Sequence, residues 1–301
     1  MKKHRTVRLQ GVLVVFAACL ISLSGTAAAE QGYIDRIAKA LEASRLTKAE
    51  QAEVRVQAET AVKAGIPSED VELIATRAAD RGADAETHIR LLHLVLSVKQ
   101  DGLPAGPVLD RIEQGLSKGV SPERIAAASE RLAEKMTTAR PLVDGLVQKG
   151  MTAKGGGDRE AAISGTARAL EKGLPPETVS AIGALVHEKR GSLRYFTSVV
   201  DTAAYFAGSG MTAETAARLV RHAVEKGYGE RDLDAMVRQL DGEMKHGTRA
   251  EDAAARMDRE TMQGGAGAGR QGVMSGQGSG SGAGSGRGAG PGMGGAGGPR
   301  R

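Results

Sequence analysis

Few side chains in this sequence are spaced for chemistry. After the first thirty residues the histidines are His88, His93, His187, His222 and His246. Two imidazoles that share a metal ion on one helix sit four residues apart, because that spacing puts both rings on one face. His88 and His93 are five apart, and none of the five histidines has a histidine or carboxylate neighbour at a recognised metal spacing. There is no His-Glu-x-x-His and no convincing nucleotide fingerprint; Gly115-Leu116-Ser117-Lys118-Gly119 matches Gly-x-Ser-x-Gly in letters but falls at a helix end rather than at a strand-to-helix turn. Lys154-Gly155-Gly156-Gly157-Asp158 has the glycines of a phosphate loop. It lacks both the preceding strand and the Gly-Lys-Ser/Thr ending that such a loop needs. The residues therefore predict no catalytic set, no metal site and no cofactor, with the histidines at the surface or its boundary.

Aromatic side chains offer the clearest candidate for contact. Tryptophan is absent, and four aromatics cluster as Tyr195, Phe196, Tyr205 and Phe206, with Arg194 beside them. The ten-residue step between the pairs brings them to nearby faces of one helix, about three turns apart. Two readings stand side by side. Phe196 and Phe206 fill a core that is otherwise rich in alanine. Alternatively, all four with Arg194 form a partner-binding patch that has Tyr195 and Tyr205 at its rim, where an apolar ring with a polar tip suits an interface.

The elements that must position these residues are helices, and they repeat. A glycine, an apolar residue and a helix-start signal recur at Gly65, Gly102, Gly173, Gly210 and Gly247; a second series of breaks falls at Gly82, Gly119, Gly191 and Gly227. The step is 37 residues from Gly65 to Gly102, from Gly82 to Gly119, from Gly173 to Gly210 and from Gly210 to Gly247. Lys118-Gly119-Val120-Ser121-Pro122-Glu123 shows the grammar of such a break. A basic residue ends one helix, glycine takes the left-handed position, and an apolar residue folds back; then a cap, an N1 proline and an acid start the next. Thr47-Lys48-Ala49-Glu50 reads as a capping box. Apolar positions keep helical spacing between breaks, as in Val71, Ile74, Ala75, Ala78 and in Leu233, Met236, Val237, Leu240. No stretch alternates long enough to predict a strand. The expected fold is all-α: an α-solenoid of stacked helical hairpins, about 13 helices of about 12–15 residues each.

Period and helix count resemble the helical-hairpin solenoids, to which tetratricopeptide repeats belong, over residues 63–261. The large aromatics that the tetratricopeptide pattern needs at set places are absent, so no family is assigned and no catalytic residue carries over. Regularity falters in the middle. Met136 stands where a break glycine is due, Arg140-Pro141 and Lys149-Gly150 follow, and Gly155-Gly156-Gly157 comes next. The expected organisation is an N-terminal stack over 30–149, a loop or hinge at 150–157, and a C-terminal stack over 158–262.

Both ends differ from the body. Met1-Lys2-Lys3-His4-Arg5, an apolar run from Gly11 to Leu23 and Ala27-Ala28-Ala29 form a signal-peptide pattern over residues 1–29. Phe16-Ala17-Ala18-Cys19 offers an alternative, a lipobox whose only cysteine would be lipidated. Residues 263–301 hold 18 glycines and almost no apolar side chain, so a disordered Gly-rich tail is expected. The formal charge of +5 comes from the ends: the leader brings four bases and the tail four arginines, with no acid in either. The helical body is left near −3, which argues against nucleic-acid binding. Together these features predict an exported, non-enzymatic scaffold of the bacterial cell envelope, periplasmic or envelope-associated, with a protein or peptide partner. The alternative is a structural or assembly lipoprotein anchored to the membrane through Cys19.

Overall fold

The computed structural model describes residues 32–263, all of whose regular structure is helical. The signal-peptide and lipidation expectations and almost all of the Gly-rich tail lie outside that range. Twelve helices follow in order: α1 (32–42), α2 (Lys48–Lys63), α3 (Ser68–Asp80), α4 (Ala85–Gln100), α5 (Gly106–Ser117), α6 (Pro122–Gln148), α7 (Gly156–Glu171), α8 (Pro176–Glu188), α9 (Leu193–Gly208), α10 (Ala213–Glu225), α11 (Glu230–Lys245) and α12 (Ala250–Gln263). Away from α6, helices of 16 residues alternate with helices of 12 to 14.

The predicted breaks form where the glycines allow them. At Gly65, with φ of 87°, the Gly65 N–H donates to the Val62 carbonyl at 2.8 Å and the Ile66 N–H to the Ala61 carbonyl at 3.1 Å. These two bonds satisfy carbonyls that the helix end leaves open, and the left-handed turn lets the apolar residue after it fold inward. Ile66, Leu103, Leu174 and Met211 occupy that position and are all buried. Starts follow the same grammar: Thr47 and Glu50 complete the capping box, and the Thr212 hydroxyl accepts from the Thr215 N–H at 3.2 Å.

One turn departs from the expectation. Gly191 is not the left-handed residue; Arg190 is, with φ of 57°. Space is the reason. A Cβ at position 191 would stand 2.6 Å from Val186 Cγ1 and 2.9 Å from Tyr195 Cδ1. Glycine is thus needed one position late, where the chain crosses under α9, and the strained conformation falls on arginine.

The irregular middle is a single rod. α6 runs 27 residues, about 40 Å, through the point where a break was due. Met136 replaces the glycine and is fully buried, so nothing there reverses the chain. Pro141 lies inside the helix and supplies no N–H to the Thr137 carbonyl. Both residues are exposed, so water reaches that carbonyl. Gly150, with φ of 93°, takes the next left-handed turn, and Gly156 opens α7 rather than ending a helix.

Packing links most helices to a neighbour and many to the helix two places on: α2 to α4, α3 to α5, α4 to α6, α7 to α9, α8 to α10, α9 to α11 and α10 to α12. α6 lies against α4, α5, α7 and α8 at once. The core is continuous and holds the expected Val71, Ile74, Ala75, Ala78, Leu233, Met236 and Leu240. Polar bonds span the same helix pairs. Arg36 meets Glu72, Tyr205 donates to Asp241, and His222 meets Asp258, each partner 36 residues away. Arg90 meets Glu130 at a separation of 40 and Arg168 meets Asp201 at 33.

A left-handed arginine costs about 1–2 kcal/mol, part of which glycine's extra freedom in the unfolded chain offsets. Arg190→Gly should therefore raise the thermal midpoint by about 1–4 °C. Gly191→Ala should lower it, since Val186 and Tyr195 must move. Thermal unfolding followed by circular dichroism checks both; an unchanged or lowered midpoint for Arg190→Gly would contradict the assignment of strain.

Candidate binding surface around α9

Helix α9 begins at the Ser192 cap, whose hydroxyl accepts from the Tyr195 N–H at 3.2 Å. Its apolar positions Leu193, Phe196, Val199, Val200, Ala203 and Phe206 face inward and are buried. Phe196 and Phe206 are fully enclosed, which is the core reading of the aromatic cluster. Truncating either to alanine would cost about 3–5 kcal/mol.

The two tyrosines point elsewhere. Tyr195 is half-buried, and its hydroxyl donates to the Tyr228 carbonyl just ahead of α11. Burial, with Asp232 and Glu230 nearby, pushes its phenol up to about 12. The Tyr205 hydroxyl donates to Asp241 on α11; that bond, then burial, raises its phenol above the ordinary value. Arg194 is exposed, with Nε 3.5 Å from Glu230 Oε1. The five candidate residues therefore share a helix but no common surface: the phenylalanines serve the core, and the other three reach toward α11.

Tyr205 keeps a second side free. It is 39% exposed, stands edge-on to Phe206 with ring centroids 6.4 Å apart, and borders an open groove of about 610 Å³. Arg111 of α5, Arg168 and Glu171 of α7, Lys172 just after it, and Asp201 and Ala204 of α9 line the rest. Two guanidinium–carboxylate pairs shape it. Arg111 forks onto Glu171 at 2.5 and 2.8 Å, and Arg168 Nη2 bonds both Asp201 oxygens at 2.8 and 3.0 Å. Gly165 on α7 makes room, since a Cβ there would stand 2.9 Å from Asp201 Oδ1. The Lys172 stem lies against Gly208, and Lys172 has no ion-pair partner among the described residues. Such a groove can hold a chain segment through paired charges, a lysine and a tyrosine face.

Reading the sequence residue by residue misses Arg111, Arg168, Glu171, Lys172 and Asp201. The usable signal was opposite charge near one repeat length, as in Arg168 and Asp201 at 33 residues. The Arg111–Glu171 pair, 60 apart, carries no such signal because the extended α6 intervenes.

The histidines need one correction. His93 and His246 are exposed and His187 and His222 intermediate, but His88 is fully buried rather than at the surface or its boundary. α4 packs on α2, α3 and α6, so little of its surface faces water. His88 Nδ1 donates to the Asp84 carbonyl at 2.9 Å, and its Nε2 has no hydrogen-bond partner. Desolvation lowers its proton affinity below the ordinary 6.5. Of the shifted carboxylates on this flank, Glu50 and Asp84 are lowered by their caps at Thr47 and Thr87 and Glu130 by Arg90, while burial and neighbouring acids raise Asp70 of α3. Among the described residues, no group of three or more His, Cys, Asp or Glu is placed to hold a metal ion, and no helix is long and apolar enough to cross a membrane.

No protein family, curated protein or solved structure matches this chain.

Because the folded state lowers the proton affinity of His88, the unfolded chain binds the extra proton as pH falls below 6.5. Stability from this site is present above that value and is lost on acidification through the folded-state pKa. The thermal midpoint should fall between about pH 7 and about pH 5, and His88→Leu should flatten that fall. Equal slopes for the two proteins would remove His88 as its cause.

Proposed function

We propose that this chain is an exported, non-enzymatic scaffold: an α-solenoid of hairpins repeating about every 37 residues, which binds a protein or peptide partner in the bacterial cell envelope. The solenoid reading draws support from helix-to-second-helix packing, from the alternation of longer and shorter helices, and from polar pairs that recur at 36 residues. Helices this short bury too little surface alone, and stacking supplies the rest. α6 joins two stacks, with the segment at 150–157 as the hinge of the proposed organisation. Export draws support from the basic start, short apolar run and Ala27-Ala28-Ala29 of the leader.

The observation that carries the binding reading is the groove between α5, α7 and α9. Its charges are already paired and oriented, so a ligand meets fixed donors and acceptors rather than mobile ones. Tyr205 adds an anchor with little rotamer entropy to lose, and Lys172 adds an uncompensated cation. A polypeptide segment with an acidic residue beside an apolar one matches that combination. The non-enzymatic reading draws support from the shifted groups that serve a cap, an ion pair or the core, as Glu50, Asp84, Glu130 and His88 do.

A photoreactive benzoylphenylalanine at position 205, in the full chain expressed in its native envelope, should yield a discrete polypeptide adduct. The same group at position 56, exposed on α2, should not. Lys172→Glu should weaken capture by about tenfold, the loss of one interfacial charge contact of about 1–2 kcal/mol. Equal adducts from both positions, or capture indifferent to Lys172→Glu, would remove the groove from the account.

A further inference from the structure

A second open groove, also of about 610 Å³, lies between α2, α4 and α6. Its floor is apolar: Ala85, Ile89 and Leu94 of α4, of which Ala85 and Leu94 are buried and Ile89 partly so. Its walls carry four carboxylates, Glu50 and Glu53 of α2, Glu86 of α4 and Glu130 of α6, against one guanidinium, Arg90. Two of the four are occupied. Glu50 accepts from the Thr47 N–H at 2.7 Å, and Glu130 pairs with Arg90. Glu53 and Glu86 are exposed and in no ion pair or hydrogen bond among the described residues. With Arg90 held by Glu130, the open side of the groove presents uncompensated negative charge beside an apolar strip.

The matching cation is in the same chain. Residues 264–301 carry Arg270, Arg287, Arg300 and Arg301 and no acid. Guanidinium groups fork onto carboxylates, and the glycines on both sides of Arg287 leave no neighbouring side chain to keep the backbone off the floor. Distance permits the contact. The packing path from α4 through α6, α7, α9 and α11 to α12 has five interhelical steps of 8–10 Å, about 50 Å across the helices, and the length of a 16-residue helix adds about 24 Å. A 38-residue segment spans up to about 125 Å when extended. Tethering also raises the local concentration of the segment, which favours weak pairs.

We propose that segment 264–301 docks on the acidic groove of its own chain, with its arginines on Glu53 and Glu86. Docking sets arginines on the open acidic side of this groove and leaves the α5–α7–α9 groove open. The proposal stands on groove shape and charge and does not depend on that second groove binding a partner.

The test uses the full chain with benzoylphenylalanine in place of Ser285, which keeps both glycines beside Arg287, irradiated as an equal mixture of isotopically heavy and light protein. Mass spectrometry should place the adducts in the α2 and α4 peptides, within single chains. Glu53→Lys combined with Glu86→Lys should cut that yield by about tenfold, the loss of two exposed charge pairs. Glu188→Lys with Glu225→Lys, exposed acids of α8 and α10, should leave it unchanged. Circular dichroism establishes that each variant is folded, and Glu53→Gln with Glu86→Gln should shift the yield in the same direction by less. Adducts spread evenly over the helices, a yield indifferent to the Glu53 and Glu86 changes, or adducts that join heavy to light chains would each overturn intramolecular docking.

Discussion

A helix of 12 to 16 residues presents one apolar stripe and too little length to persist alone, so this fold depends on turning the chain back at the end of each helix. From α2 to α11 a left-handed residue does that work. It closes two backbone bonds onto the preceding helix, buries the apolar residue that follows, and so sets where the next helix starts. Nine glycines and Arg190 hold this conformation among the described residues. Where none does, at Met136, the chain runs on as α6. The rod then carries both kinds of neighbour: its first half meets α4 through Glu130 and Arg90, and its last turns meet α7 through Asp144 and Arg159 and α8 through Leu146 beneath Gly183.

The polar bonds between helices two places apart have a different role. Exposed ion pairs contribute about 0–1 kcal/mol each, so the apolar core dominates stability. A forked arginine on a carboxylate does, however, fix how far one helix slides along the next. Arg36 on Glu72, Arg90 on Glu130 and Arg111 on Glu171 act as register marks of this kind. They also leave two grooves of opposite character. One is lined by paired charges with an extra lysine and Tyr205, and the other by glutamates over an apolar strip.

Local rules made much of this fold legible. Helix ends, the Thr47 and Thr212 caps and the buried faces of α3 and α11 follow from glycine spacing and helical periodicity alone. Three features did not follow. The persistence of α6 through Pro141 depends on packing against four helices, which outweighs a missing hydrogen bond at the exposed Thr137 carbonyl. The strained turn at Arg190 depends on how closely Val186 and Tyr195 approach position 191. The burial of His88 depends on α4 being covered on several sides. Each is a tertiary effect with no local signature. The candidate patch divided for a similar reason: sequence placed Tyr195, Phe196, Tyr205 and Phe206 on one helix, but the arrival of α11 decides which of them meets solvent. The groove residues were invisible because they come from three helices.

Stacked hairpins that touch only near neighbours should open from the ends, whereas a core that behaves as one body should open all at once. Native-state hydrogen exchange on the full chain, resolved helix by helix, separates these directly. The account predicts graded protection, highest in α6, α7 and α9 and falling stepwise toward α1 and α12. A single opening free energy shared by all twelve helices would contradict it.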